Sequence, residues 1–151
     1  RDKQLETKEI AKISKIIRKK FPNLFLVLNG CPSLASDLGF DGVHLPDRKP
    51  SKEWIAHYER SKKLFLSTSV HNSKSLKRLK MLDFNAVLLS QIKNPISKKT
   101  NLEPLGWSGF RTMAKETKVP AYALGGLKMN DLNKAEEHGA KGIAMSGYFF
   151  N

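Results

Sequence analysis

Residues 119–147 read VPAYALGGLKMNDLNKAEEHGAKGIAMSG, and this stretch decides the fold. Ala121-Tyr122-Ala123-Leu124 is a short apolar run entered through Pro120 and stopped by Gly125-Gly126, which reads as a strand. Residues 129–138 carry a helical pattern, and Gly142-Ile143-Ala144-Met145 is a second short strand followed by Ser146-Gly147. An apolar strand, a helix and another apolar strand make one parallel βαβ unit.

The same alternation runs back through the chain. Residues 5–20 place Ile10, Ile13, Ile16 and Ile17 at helical spacing with lysines between them. Leu24-Phe25-Leu26-Val27-Leu28, stopped by Asn29-Gly30, reads as a strand buried on both faces. A short helix over 31–38 follows, then a strand at Gly42-Val43-His44-Leu45 ended by Pro46. Ser51 caps a helix with Trp54, Ile55 and Tyr58 inward. Residues 64–68 form a strand, and Ser73 starts a helix with Leu76, Leu79 and Leu82 in phase. Residues 86–90 are a strand, a long polar loop runs from Lys93 to Gly106, and a helix spans 108–117.

Two parallel architectures compete. A doubly wound dinucleotide binder needs a GxGxxG after its first strand, which this sequence lacks. Strands of four or five residues, followed at once by Ser, His, Gly and Asn, suit a (β/α)8 TIM barrel, whose active site lies at the carboxyl ends of its strands. The expected fold class is therefore α/β, with residues 1–151 read as a single, partial TIM-barrel domain. Six strands do not close an eight-strand barrel, so further material is expected before Arg1 and after Asn151.

Bulk properties narrow the function. The formal net charge is +13, carried by 21 Lys and 6 Arg. The lysines are spread over nearly every helical segment, which fits a basic field steering a small phosphorylated substrate better than a nucleic-acid footprint. No apolar run approaches the roughly 20 residues of a membrane span, and the charged opening Arg1-Asp2-Lys3 does not resemble a signal peptide. A cytoplasmic protein without membrane or nucleic-acid partners is expected, and a homo-oligomer is compatible with the sequence. Cys31 stands alone, so no internal disulfide is expected. No HxxxH or CxxC pair occurs, which argues against zinc.

Three segments that follow strands carry chemistry. Gly125-Gly126 precedes a helix, so it reads either as an anion nest of backbone N–H groups or as a tight turn needing positive φ. Ala144-Met145-Ser146-Gly147 is a second small-residue loop, and the loops after strands seven and eight are the usual phosphate site of a barrel. Ser67-Thr68-Ser69-Val70-His71-Asn72-Ser73 places His71 just past a strand end among hydroxyls. It reads as a general acid/base or as a loop histidine bonded to a carbonyl. His44 reads as an interior residue, and His57 and His138 as solvated helix residues. Ser97-Lys98-Lys99 reads either as a loop closing over phosphate or as a solvated basic loop.

These segments in this order resemble the thiamine phosphate synthase/TenI family. The resemblance rests on Leu26-Val27-Leu28-Asn29, Asp41-Gly42-Val43-His44-Leu45, Ser69-Val70-His71, Pro104-Leu105-Gly106, Val119 to Gly126 and Gly139 to Gly147. Arg1-Asp2-Lys3 resembles the ligand-contacting end of the family's second strand. The resemblance implies a (β/α)8 barrel lacking strand 1, helix 1, most of strand 2 and the last helix in this chain.

The family holds two chemistries. In its synthases, which join an aminomethylpyrimidine pyrophosphate to a thiazole phosphate, an Asn-Asp and a Gly-Gln-x-Asp supply aspartates for Mg²⁺. Here those positions read Asn29-Gly30 and Pro46-Asp47-Arg48-Lys49. Magnesium wants one or two carboxylates, and only Asp47 remains, two positions away. The TenI branch needs no such metal. Its thiazole tautomerases carry a catalytic histidine in a Ser-Val-His, matched by Ser69-Val70-His71. The implied activity is a proton shift on a thiazole carboxylate phosphate with His71 as acid/base and no cofactor, Mg²⁺ being required only if the chain is a synthase. The implied ligand is a small phosphorylated thiazole or pyrimidine. Gly125, Gly126, Ser146 and Gly147 would hold phosphate, Lys98, Arg1 and Lys3 would neutralise charge, and Asn29 and Ser69 would line the ligand site. A non-catalytic binder or regulator is the further alternative.

Overall fold

The computed structural model describes residues 6–61, 63–94 and 103–146. The chain divides into two compact units, residues 1–66 and 67–151, each taken separately below. Strands and helices alternate throughout the described residues.

The first unit opens with α1, Thr7–Lys20. Glu6 caps it reciprocally with Glu9, and Arg18, Lys19 and Lys20 sit in its last turn against the negative end of the helix dipole. Then come β1 (Val27–Asn29), α2 (Pro32–Asp37), β2 (Gly42–Leu45) and α3 (Lys52–Arg60). β1 and β2 pair in parallel, with Leu28 opposite Val43. Their buried side chains join Ala35, Trp54, Leu64 and Leu66 as the apolar core of this unit. Ser51 caps α3 as expected, its Oγ accepting from Trp54 N at 3.1 Å.

Two expectations for this unit are corrected. The first strand begins at Val27, not Leu24, and it is not buried on both faces: Leu28 is buried while Val27 is exposed. Side chains hold Leu24 O and Leu26 N, while Leu26 O accepts main-chain bonds from Asp41 N at 2.8 Å and Gly42 N at 3.2 Å. The Arg18 guanidinium donates to Leu24 O, to Gly39 O and to the Asp41 carboxylate, which in turn accepts from Leu26 N at 2.7 Å. The Leu26 N–H, opposed by partial burial but joined by the Arg18 hydrogen bond and charge, holds the Asp41 carboxyl below the ordinary aspartate value. The isoleucine stripe of α1 is also less inward than its spacing suggests, with Ile13 and Ile16 exposed at 41% and 56%.

In the second unit, β3 (Phe65–Val70, entering from the first unit), β4 (Ala86–Ser90), β5 (Ala121–Leu124) and β6 (Ile143–Ala144) lie side by side in chain order, all parallel. Sequential order is what a barrel requires, whereas a doubly wound sheet reverses direction partway. The connecting helices are α4 (Ser73–Leu76), α5 (Gly106–Glu116) and α6 (Leu132–Glu137). One core runs through Val70, Val87, Leu89, Ile92, Phe110, Met113, Ala121, Ala123 and Leu127, with Phe110 wholly buried. The helix expected from Ser73 through Leu82 is shorter. α4 makes one turn and passes into a 3₁₀ turn at Lys77–Lys80, where Arg78 reaches back to Ser75 O at 3.3 Å.

Candidate active site

His71 is the first residue past β3, and the ladder explains its place. Val70 lies opposite Leu89 in the β3–β4 register, so the next step brings His71 beside Ser90, the last residue of β4. The imidazole Nδ1 lies 2.8 Å from Ser90 Oγ and 3.0 Å from Ser90 O. Two further contacts fix the backbone around it. Arg78 donates from Nη2 to Ser69 O at 3.2 Å, and Asn72 Oδ1 accepts Ser75 N at 3.0 Å as the cap of α4. Ser73 starts α4 as expected, with Asn72 as its capping residue. Of the two readings left open for His71, the structure shows the carbonyl contact, at 3.0 Å from Nδ1 to Ser90 O.

Gly125 and Gly126 follow β5 with φ of +109° and +64°. Both also meet the loop that leaves β4. A Cβ on Gly125 would lie 2.7 Å from Gln91 Cβ, and one on Gly126 would lie 2.7 Å from Asn94 O. Ile92 N donates to Leu124 O and Lys93 N to Gly125 O, each at 3.0 Å. Backbone conformation and close chain approach therefore both demand glycine here.

This contact uncovers a group that sequence reasoning missed. Lys93 Nζ meets Asp131 Oδ1 at 2.6 Å, and Asp131 Oδ2 accepts Lys128 N at 2.9 Å. Burial pushes the Asp131 carboxyl up, but the Lys93 hydrogen bond, the Lys128 N–H and the charges of Lys93 and Lys134 outweigh it and leave it below the ordinary value. Together they set a cation beside the glycine turn. Lys93 stands three residues past a strand end, a signal that the more distant Lys98 had masked.

The remaining site expectations divide by position. Ser69 is half-buried in β3, two residues before His71, and Ser146 is exposed two residues past the end of β6. Asn29 ends β1 in the first unit and is exposed. Arg1, Lys3, Lys98 and Gly147 lie outside the described residues. His138 departs from its expected solvated state. It follows α6 half-buried, its ring 5.4 Å from that of Trp107 and its Nδ1 donating to Lys134 O at 2.7 Å.

At the two positions where the resemblance to the synthases implies aspartates, this chain carries Gly30 after β1 and Lys49 after β2. Gly30 has no side chain, and its carbonyl accepts Trp54 Nε1 at 3.0 Å. Lys49, exposed on its loop, would bring a cation where a carboxylate is needed.

The family model and the relatives by sequence point to one family, and the solved structures to its fold. The family model described as thiamine monophosphate synthase matches residues 1–149. A protein of Aquifex aeolicus called putative thiamine-phosphate synthase 2 is 27% identical over 147 residues, covering 95% of this chain and 77% of that protein. The thiamine-phosphate synthase of Koribacter versatilis is 28% identical over 147 residues, covering 96% and 69%. That of Prochlorococcus marinus subsp. pastoris is 27% identical over 145 residues, and the chain spans 40% of its length. Among solved structures, the thiamine phosphate pyrophosphorylase from Pyrococcus furiosus superposes with a TM-score of 0.76 at 20% identity, over 95% of this chain and 69% of its own. A 3-hexulose-6-phosphate synthase gives 0.68 at 14% identity, over 97% and 77%. The structural likenesses carry the fold, and the family match carries the kinship.

Proposed function

The chain belongs to the thiamine monophosphate synthase family, and from that premise we propose that it is a thiazole tautomerase of the TenI kind, acting on a thiazole carboxylate phosphate without a metal. One observation carries this reading: His71 stands at the carboxyl end of β3 with Nδ1 against Ser90. With the proton on Nδ1, Nε2 holds the basic lone pair. His71 Nε2 takes the ring proton, and the resulting imidazolium returns a proton at the exocyclic carbon, so the product is an isomer and nothing is gained or lost. Positioned acid/base help of this kind contributes about 10²–10⁴ in rate. The backbone of Gly125, Gly126, Ser146 and Gly147 would receive the phosphate, with Lys98, Arg1 and Lys3 adding charge. Asn29 and Ser69 would contact the ring or its carboxylate.

A second reading is favoured by the names of the relatives, which are called thiamine-phosphate synthases. It would join an aminomethylpyrimidine pyrophosphate to a thiazole phosphate. The donor chemistry at Gly30 and Lys49 weighs against it.

The test is turnover of the thiazole carboxylate phosphate with and without Mg²⁺, beside His71→Ala. Metal-independent turnover that His71→Ala abolishes is the expected result. Coupling of the two synthase substrates only in Mg²⁺, with no tautomer turnover, refutes the tautomerase in favour of the second reading.

A further inference from the structure

Ser90 is not among the residues that the resemblance marks, yet it is the partner of His71. Its side chain is buried at 3% exposure, and it offers the imidazole Nδ1 two oxygens, Oγ at 2.8 Å and the main-chain O at 3.0 Å. A carbonyl oxygen can only accept. The carbonyl contact therefore requires the proton to sit on Nδ1, and Oγ becomes the second acceptor of a shared bond. The opposite arrangement, with the hydroxyl donating to a bare Nδ1, would set the ring lone pair against the carbonyl lone pairs at 3.0 Å. The same logic rules out Ser90 as a nucleophile activated by His71. Activation would need Nδ1 to accept, and the hydroxyl is enclosed.

We infer that Ser90 is the positioning residue of the site, selecting the Nδ1–H tautomer of His71 and keeping two acceptors against that N–H when Nε2 takes up a proton. A ring nitrogen's role is set by the bond its partner nitrogen makes. Ser90 does this from a strand end, where the β3–β4 ladder fixes its place, so orientation does not depend on a loop. The inference rests on the reading of His71 as the acid/base group.

Two measurements test it, one of them independent of turnover. Long-range ¹H–¹⁵N NMR of the histidine rings, assigned with His71→Ala, should show the His71 proton on Nδ1 in the wild type and, in Ser90→Ala, which keeps the main-chain O as acceptor, the same tautomer with its Nδ1–H proton resonance moved upfield by the loss of Oγ. In turnover, Ser90→Ala should lower kcat about tenfold with KM unchanged, the loss expected for one hydrogen bond made in the transition state. Ser90→Thr, which keeps the hydroxyl, should restore most of it. A wild-type ring with its proton on Nε2 overturns the inference, as does a folded Ser90→Ala whose Nδ1–H resonance and kcat are those of the wild type. If the wild type shows no turnover while its ring shows the Nδ1–H pattern and Ser90→Ala shifts that Nδ1–H resonance, the tautomerase reading fails and the positioning by Ser90 stands.

Discussion

Replacing Gly126 with alanine separates the two causes that make this turn glycine. Gly126 has φ of +64°, and a Cβ there would fall 2.7 Å from Asn94 O, 2.9 Å from Lys93 Cβ and 3.2 Å from Lys93 C. Gly106, in the same unit, is a matched control: its φ is +60°, and nothing lies within 4 Å of the position a Cβ would take. Left-handed backbone costs an L-residue about 1–2 kcal/mol. The stiffer unfolded chain returns about 0.4–1 kcal/mol. Both sites share these terms, so Gly106→Ala should lose about 1 kcal/mol. Gly126→Ala must also push a carbonyl oxygen and the Lys93 backbone out of the way, and overpacking of this kind adds about 1–3 kcal/mol. The expected loss is about 2–4 kcal/mol. Urea unfolding followed by far-ultraviolet circular dichroism reads the difference. With a slope of about 2 kcal/mol per molar, the midpoints of the two variants should differ by roughly 1 M. Equal losses, within about 0.5 kcal/mol, would refute the close approach of the β4 loop and leave backbone conformation as the sole reason for glycine.

Two further substitutions probe the first unit. Arg18→Met removes the guanidinium from Leu24 O, Gly39 O and Asp41, and it should cost about 1 kcal/mol at pH 7 for a partly exposed pair. Because the folded Asp41 carboxyl lies below its unfolded value of 3.8, that stabilisation is present above this pH and fades as the pH falls through the folded value. Urea midpoints of wild type and variant should therefore converge in acid, and a gap that stays constant from pH 7 to pH 2 would disprove the linkage. Trp54→Phe leaves Gly30 O without its Nε1 donor and should cost about 1–3 kcal/mol in the same assay, whereas a loss under about 0.5 kcal/mol would mean that the bond contributes nothing net.

The strands that sequence placed best were those flanked by both a breaker and a neighbouring strand. Residues 42–45, 86–90 and 121–124 were read with the bounds the structure gives, each being a short, mostly apolar run between polar or breaking neighbours. Leu24 to Leu28 looked the same by composition. What distinguishes it is Arg18 and Asp41, whose side chains take Leu24 O and Leu26 N and leave Leu26 O to main-chain pairing. A run of apolar letters carries no trace of that competition. The helix after His71 failed for a similar reason: leucines at 76, 79 and 82 are in phase, but hydrogen bonds from Arg78 to Ser75 O and Ser69 O accompany its tightening after one turn.

The candidate site shows the same division more sharply. That His71 follows a strand, and that a glycine pair follows another, can be read from residues adjacent in sequence. The residues that give those features their chemistry are distant: Ser90 is 19 positions from His71, and Asp131 is 38 from Lys93. A parallel ladder joins such residues through its register, and a shift of one residue turns every side chain to the other face. With Val70 opposite Leu89, Ser90 falls beside the imidazole and its hydroxyl faces Nδ1. With Val70 opposite Leu88, the same position would present Leu89, which has no acceptor in its side chain. The serine's value to the site is thus a property of the pairing, set by the packing of Val70, Val87 and Leu89 in the core beneath it. Core substitutions there that preserve volume should leave the His71 tautomer unchanged, and those that move the register should alter it before they unfold the protein.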